Sequence, residues 1–104
     1  MSYQAVLEAL GDGTRRQILE RLRSGPRAVG QIAQGLPVSR PAVSRHLRVL
    51  EVVGLVTHEP RGTKNVYRAD TRGLREVRAW LDGYWDDALS AFAGHVQKTG
   101  KGRH

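Results

Sequence analysis

Arg40, Ser44, Arg45 and Arg48 fall within one short stretch that also carries Val43, Leu47 and Leu50. A guanidinium is a planar fork of donors that fits a phosphate or the O6/N7 edge of guanine, and a serine hydroxyl can serve either. At helical spacing the three apolar residues take one face, and the arginines and Ser44 lie on or near the other. Ser39 is a good N-cap, Pro41 falls in the first turn where no intrahelical bond is lost, and Gly54 supplies the stop. The first free N–H groups of such a helix also attract phosphate. The chemistry offered is recognition of a polyanion, with Arg40, Ser44 and Arg45 placed for base edges and Ser39 and Arg48 for phosphates. The same residues would also suit an ordinary charged surface helix. What favours recognition is the absence of acids on this face and a basic turn further on, where Arg61 and Lys64 flank Gly62. Guanidinium at such a turn suits the negative potential of a neighbouring minor groove, or the phosphates beside it.

Other chemistries find little support. The chain of 104 residues contains no cysteine, which excludes disulfides, thiolate metal sites and thiol nucleophiles. No Ser/His/Asp arrangement or glycine-rich phosphate loop stands out. Asp86 and Asp87 are adjacent on a predicted helix and point apart, so they make no carboxylate dyad. His46 lies beside the apolar face of the arginine-bearing helix, where a structural or phosphate-contacting role fits better than catalysis. His58 is expected to face solvent in a strand. The expectation is of no enzyme, no cofactor and no metal. No apolar run is long enough to span a membrane and no leader pattern opens the chain, so the expected location is the cytoplasm.

The elements that must position these groups form a single domain, expected over residues 1–97, with a frayed basic tail over 98–104. Tyr3, Val6, Leu7 and Leu10 recur as one face of a first helix that Gly11 ends. Asp12 caps a second helix burying Ile18, Leu19 and Leu22, which stops near Ser24-Gly25-Pro26. A short third helix runs through Ile32 and Ala33, and the fourth is the arginine-bearing helix over residues 39–53. Runs 55–59 and 65–68 read as a hairpin around a turn at residues 60–64. Thr71 is placed to cap a last helix carrying Leu74, Val77, Leu81, Tyr84, Trp85, Ala88, Leu89, Phe92 and Val96. The fold expected is mostly α with a small β-hairpin, in the order α-α-α-α-β-β-α.

Charge divides along this plan. The net charge is +7, yet residues 13–50 hold eight arginines against the single acid Glu20. Between residues 70 and 96, five acids outnumber three arginines. One part of the molecule is built for phosphate and another is not. That other part carries Trp80, Tyr84, Trp85 and Phe92, a stripe that could line a pocket for an apolar effector. A surplus apolar face on so small a domain more often joins two copies, and Trp and Tyr are common anchors there.

The stretch from Leu10 to Leu19 (LGDGTRRQIL), the stretch from Val38 to Leu47 (VSRPAVSRHL), and Gly54-Leu55-Val56 with the late Val66-Tyr67 closely resemble the ArsR family of winged-helix repressors, over about residues 3–96. The resemblance implies a winged helix-turn-helix homodimer joined by its first and last helices, here through Tyr3, Val6, Leu7, Leu81, Tyr84, Trp85, Ala88 and Phe92. It implies paired recognition helices on a palindromic operator in double-stranded DNA, and repression relieved by an effector, here an unidentified small molecule. Many members sense metals, and here the sequence departs from the pattern. The cysteine motif would fall at residues 28–32, where no thiol stands. The second metal register falls on Asp82, Tyr84, His95 and Lys98, with two of four ligands replaced, one by a cation. The function expected is a homodimeric, sequence-specific transcriptional repressor. Alternatives are an architectural DNA-binding protein of low specificity and an interaction module for an acidic protein partner.

Overall fold

The computed structural model describes residues 2–99, with side chains to residue 94. Helix α1 (Tyr3–Leu10) starts where the Ser2 hydroxyl accepts from Ala5 N–H, and it buries Val6 and Ala9. Helix α2 (Gly13–Leu22) is capped by Asp12, whose Oδ1 accepts from the N–H groups of Thr14 (2.8 Å) and Arg15 (3.1 Å). A two-residue strand β1 (Arg27–Ala28) leads into the short α3 (Val29–Ala33), where Gln31 Oε1 accepts from Ala28 N–H. Helix α4 (Arg40–Val52) begins at Ser39, whose Oγ accepts from Ala42 N–H, with Pro41 in its first turn. Its far end is a Schellman closure: Gly54, at φ +78°, donates to Glu51 O, and Leu55 donates to Leu50 O.

Strands β2 (Val56–Arg61) and β3 (Lys64–Ala69) pair antiparallel from Val56↔Ala69 to Arg61↔Lys64. The sheet has three strands in the order β1-β3-β2, because β1 pairs with the free edge of β3. Sequence reading expected only the hairpin. Two residues have no periodicity to read, and the pairing of Arg27 with Tyr67 joins distant parts of the chain. The expected five-residue turn is also shorter: Arg61 and Lys64 are the last strand pair, and only Gly62 and Thr63 turn, with Gly62 at φ +62°.

Helix α5 (Arg72–Thr99) is started by Asp70 rather than by the Thr71 side chain, the Asp70 carboxylate accepting from Arg72 N–H at 3.0 Å. Thr71 contributes its carbonyl, which accepts from Arg75 N–H. The helix runs unbroken through Gly83 and Gly94. Of the tail expected over 98–104, residues 100–104 lie outside the described residues.

One core joins all these elements. Val6, Ile18, Ile32, Val43, Leu47, Leu50, Leu55 and Val56 are fully buried, with Tyr67 and Val77 at its margin. Val6 is therefore not available to a second copy; it holds α1 to its own protomer, which corrects its placement in a dimer face. Helix α5 packs on α1, where Trp80 stacks on Tyr3 at 5.4 Å. A helix of this length is about 42 Å long, and its outer half projects from the body, so the molecule measures 70 × 24 × 22 Å.

Candidate nucleic-acid interface

The first task of the fold is to sort the arginines. Arg15 Nε donates to Ala9 O at 2.7 Å and Arg16 Nη1 donates to Leu10 O at 2.6 Å. Both cations thus close the C-terminus of α1, where unsatisfied carbonyls and the helix dipole favour them. Arg27 donates to Arg21 O (2.9 Å) and to Ser24 Oγ (3.0 Å), and Arg23 pairs with Glu20 at 3.2 Å. Four of the eight arginines in residues 13–50 therefore stitch the protein together. Sequence could not single out Arg15, Arg16 and Arg27, since each bonds a backbone carbonyl six residues away that chain reversal brings close; the exposed Arg23–Glu20 pair is a local i,i+3 contact.

Of the other four, Arg21 lies against Gly35, and the three of α4 share one face. Val43, Leu47 and Leu50 turn wholly inward, so Arg40, Arg45 and Arg48 are exposed, with Ser44 half-buried. Among the described residues, no carboxylate lies within ion-pair distance of Arg40, Arg45, Arg48 or Lys64. Ser39 sits at the head of α4, its hydroxyl already engaged with Ala42 N–H. A cleft of about 660 Å³ separates this head from the tip of the hairpin. Its walls are Gly30 and Gln31 from α3, Gln34 just after it, Arg40, Pro41 and Ser44 from α4, and Thr63, Lys64 and Asn65 from the hairpin. Arg40 lies along Gly30 so closely that a Cβ there would come within 3.1 Å of its Nη2. Gly30, the two glutamines and Asn65 gave no sequence signal, because only the crossing of α3, α4 and the hairpin assembles them.

The hairpin is tied back to α4. His58 Nδ1 lies 2.7 Å from Glu51 Oε2, and the His58 ring rests against the buried Tyr67 at 4.9 Å. Burial, followed by the nearby Glu51 carboxylate, pushes the Tyr67 phenol up from its ordinary value. His58 is exposed, as expected, but it is also a strut between α4 and the hairpin. His46 is half-buried with Nδ1 3.4 Å from Arg15 Nη1, again a structural setting. Arg61 is not free: its Nη2 lies 3.0 Å from Glu59 Oε1.

On α5, Tyr84, Trp85 and Phe92 are about two-thirds exposed, and Leu81 and Leu89 half-exposed. The pattern begun by Tyr3 and Trp80 continues to Tyr84, 5.8 Å from Trp80. Leu7 on α1 is exposed as well. Asp82 is exposed beside this stripe; the side chains of His95 and Lys98 lie outside the described residues. Among the described residues, no three of His, Asp and Glu come together as metal ligands would. None of the described helices is long and apolar enough to cross a membrane.

The profile of bacterial regulatory proteins of the arsR family matches residues 12–58, from the cap of α2 into β2. The chain is 52% identical over 93 residues to the HTH-type transcriptional regulator Rv2034 of Mycobacterium tuberculosis, covering 89% of this chain and 87% of that protein. It is 32% identical to the transcriptional repressor SdpR of Bacillus subtilis, over 73% of this chain and 84% of that one. Among solved structures, the homodimeric winged helix-turn-helix DNA-binding domain Mb0332 of Mycobacterium bovis superposes with a TM-score of 0.64 at 32% identity, over 83% of this chain and 80% of that one. Helices α3 and α4 are thus the helix-turn-helix and the β2–β3 hairpin is the wing. The chain belongs to the arsR family of bacterial regulatory proteins and is a transcriptional regulator built on the winged helix-turn-helix.

Proposed function

We propose that the protein is a homodimeric, sequence-specific repressor acting in the cytoplasm on a palindromic operator. The observation that carries this reading is α4: its inward face is fully consumed by the core, while its outward face holds three exposed arginines that no acid among the described residues pairs with. In a helix-turn-helix the N-terminal part of the second helix reaches base edges in the major groove. Arg40, Ser44 and Arg45 then read bases, while Ser39, Arg48, Arg61 and Lys64 hold phosphates. The cleft between the head of α4 and the wing, lined by Arg40, Ser44, Lys64 and Asn65, offers donors to the phosphodiester strand that separates major from minor groove.

Two recognition helices are needed to read a palindrome. The exposed stripe of Leu81, Tyr84, Trp85, Ala88 and Phe92, with Tyr3 and Leu7 of α1, supplies the surface that joins two copies. Among the described residues of one copy nothing packs on the outer half of α5, and an isolated helix of that size is marginal in water.

Selection of random duplexes on the purified protein, followed by titration at two salt concentrations, tests the reading. A palindromic consensus with half-sites about one helical turn apart is the expected result. Enrichment of nothing, with steeply salt-dependent binding to every duplex, would make it an architectural DNA-binding protein instead.

A further inference from the structure

The outward face of the wing contains one acid that the fold does not need. Strand alternation puts Thr57, Glu59 and Arg61 on the face opposite Val56, which is wholly buried. Across the ladder, Lys64 stands opposite Arg61 and Arg68 opposite Thr57, so Glu59 sits among three cations. A single oxygen, Glu59 Oε1, lies 3.0 Å from Arg61 Nη2 and 3.9 Å from Arg68 Nη1. The pairs are solvent-exposed, and Glu59 accepts no bond from the backbone among the described residues.

We propose that Glu59 is a counter-charge that restrains the wing, occupying Arg61 in the free protein and so weakening binding to non-specific DNA more than to the operator. The inference rests on the reading of the wing as a DNA contact. For Arg61 to reach a phosphate it must leave Glu59, and the bared carboxylate then faces the same polyanion. Exposed ion pairs are weak and salt-screened, so the exchange is easily driven when the wing is drawn fully into place. On a random duplex the protein is held by phosphates alone and nothing offsets the loss. Specificity is a difference of affinities, and an element that penalises the wrong complex serves it as well as one that rewards the right complex.

Glu59→Gln keeps the shape and removes the charge, and its exposure predicts an unchanged melting temperature. The experiment measures binding of wild type, Glu59→Gln, Arg61→Gln and the double variant to the selected operator and to a random duplex, each over a salt series. Glu59→Gln should tighten random-duplex binding by roughly threefold to tenfold and steepen its log–log salt slope by up to about 0.9, the value of one added phosphate contact. Operator binding should tighten less, so the specificity ratio falls. In the Arg61→Gln background the gain should shrink, because the guanidinium bonded to Glu59 is gone and only the more distant Arg68 remains beside it. An unchanged or weaker affinity for the random duplex overturns the proposal and makes Glu59 a residue that aims Arg61. An equal gain with and without Arg61 also overturns it, since simple charge removal would then suffice. If wild type and variants bind no duplex at all, the DNA reading itself fails; if they bind without a Glu59 effect, only this inference does.

Discussion

Arg15 and Arg45 carry the same side chain and are put to different uses, and their surroundings decide which. The Arg15 side chain is 18% exposed, with Nε on Ala9 O and Nη1 against His46. Arg45 is exposed and meets no acid among the described residues. Arg15→Met should therefore cost roughly 1–3 kcal/mol of stability, read by urea titration, because a charge-assisted bond to a carbonyl is lost. The salt slope of DNA binding should not change. Arg45→Ala should leave the melting temperature alone and weaken operator binding by roughly 1–3 kcal/mol, if its contact is bidentate to guanine. Asp12 adds a pH dependence. Its carboxyl is held below the usual range, first by the Arg15 N–H, with further help from the Thr14 N–H and the Arg15 and His46 side chains, against a smaller opposing effect of burial. A lowered folded-state pKa means the stabilisation is complete above the unfolded value, about 4, and is lost as pH falls through the folded one. Asp12→Ala should lower the melting temperature at neutral pH and remove that part of the acid limb; an unchanged limb would reject the assignment.

At the scale of elements, the junction of α4, β2 and α5 brings backbone against backbone at Gly73. Gly73 donates to Gly54 O at 2.8 Å, and a Cβ on Gly73 would collide with Val53 O. Backbone cannot yield as a side-chain tip can, so Gly73→Ala should destabilise by about 1–3 kcal/mol, seen as a lower midpoint in thermal or urea unfolding. An unaffected midpoint would mean that the start of α5 shifts freely. The same junction sets the angle at which α5 leaves the body, and so links the recognition helix to the surface proposed for the second copy. The wing is fixed more loosely, by its ladder and by His58 on Glu51.

The whole molecule is longer than its core can account for. Its 70 Å extent comes from α5, whose aromatic stripe stays exposed once the core is complete. Trp85→Asp with Phe92→Asp should give a monomer in sedimentation equilibrium, because two desolvated carboxylates are costly in an apolar interface. The same double variant should bind a palindromic duplex far more weakly, with half the phosphate contacts. A dimer that survives both substitutions would move the interface off this stripe.

What the sequence determined by itself was whatever depends on near neighbours in the chain. The caps Ser39 and Asp12, the stop at Gly54, the buried trio Val43, Leu47 and Leu50, and the exposed arginines of α4 follow from spacing of three or four residues and from backbone preferences. These were enough to expose the helix-turn-helix. Tertiary structure alone decided which arginines close α1, that β1 completes a third strand, that Val6 belongs to the core, and that Gly30, Asn65 and Lys64 share one cleft. Glu59 and Arg61 stand between the two cases. Their i, i+2 spacing in a strand already puts them on one face, but a bond between them needs the short turn that carries the strand through Arg61. The physical reason is common to all of these. Local geometry is set by a residue's own neighbours, whereas a guanidinium takes whichever acceptor the folded chain brings within about 3 Å, and that acceptor is often far away in sequence.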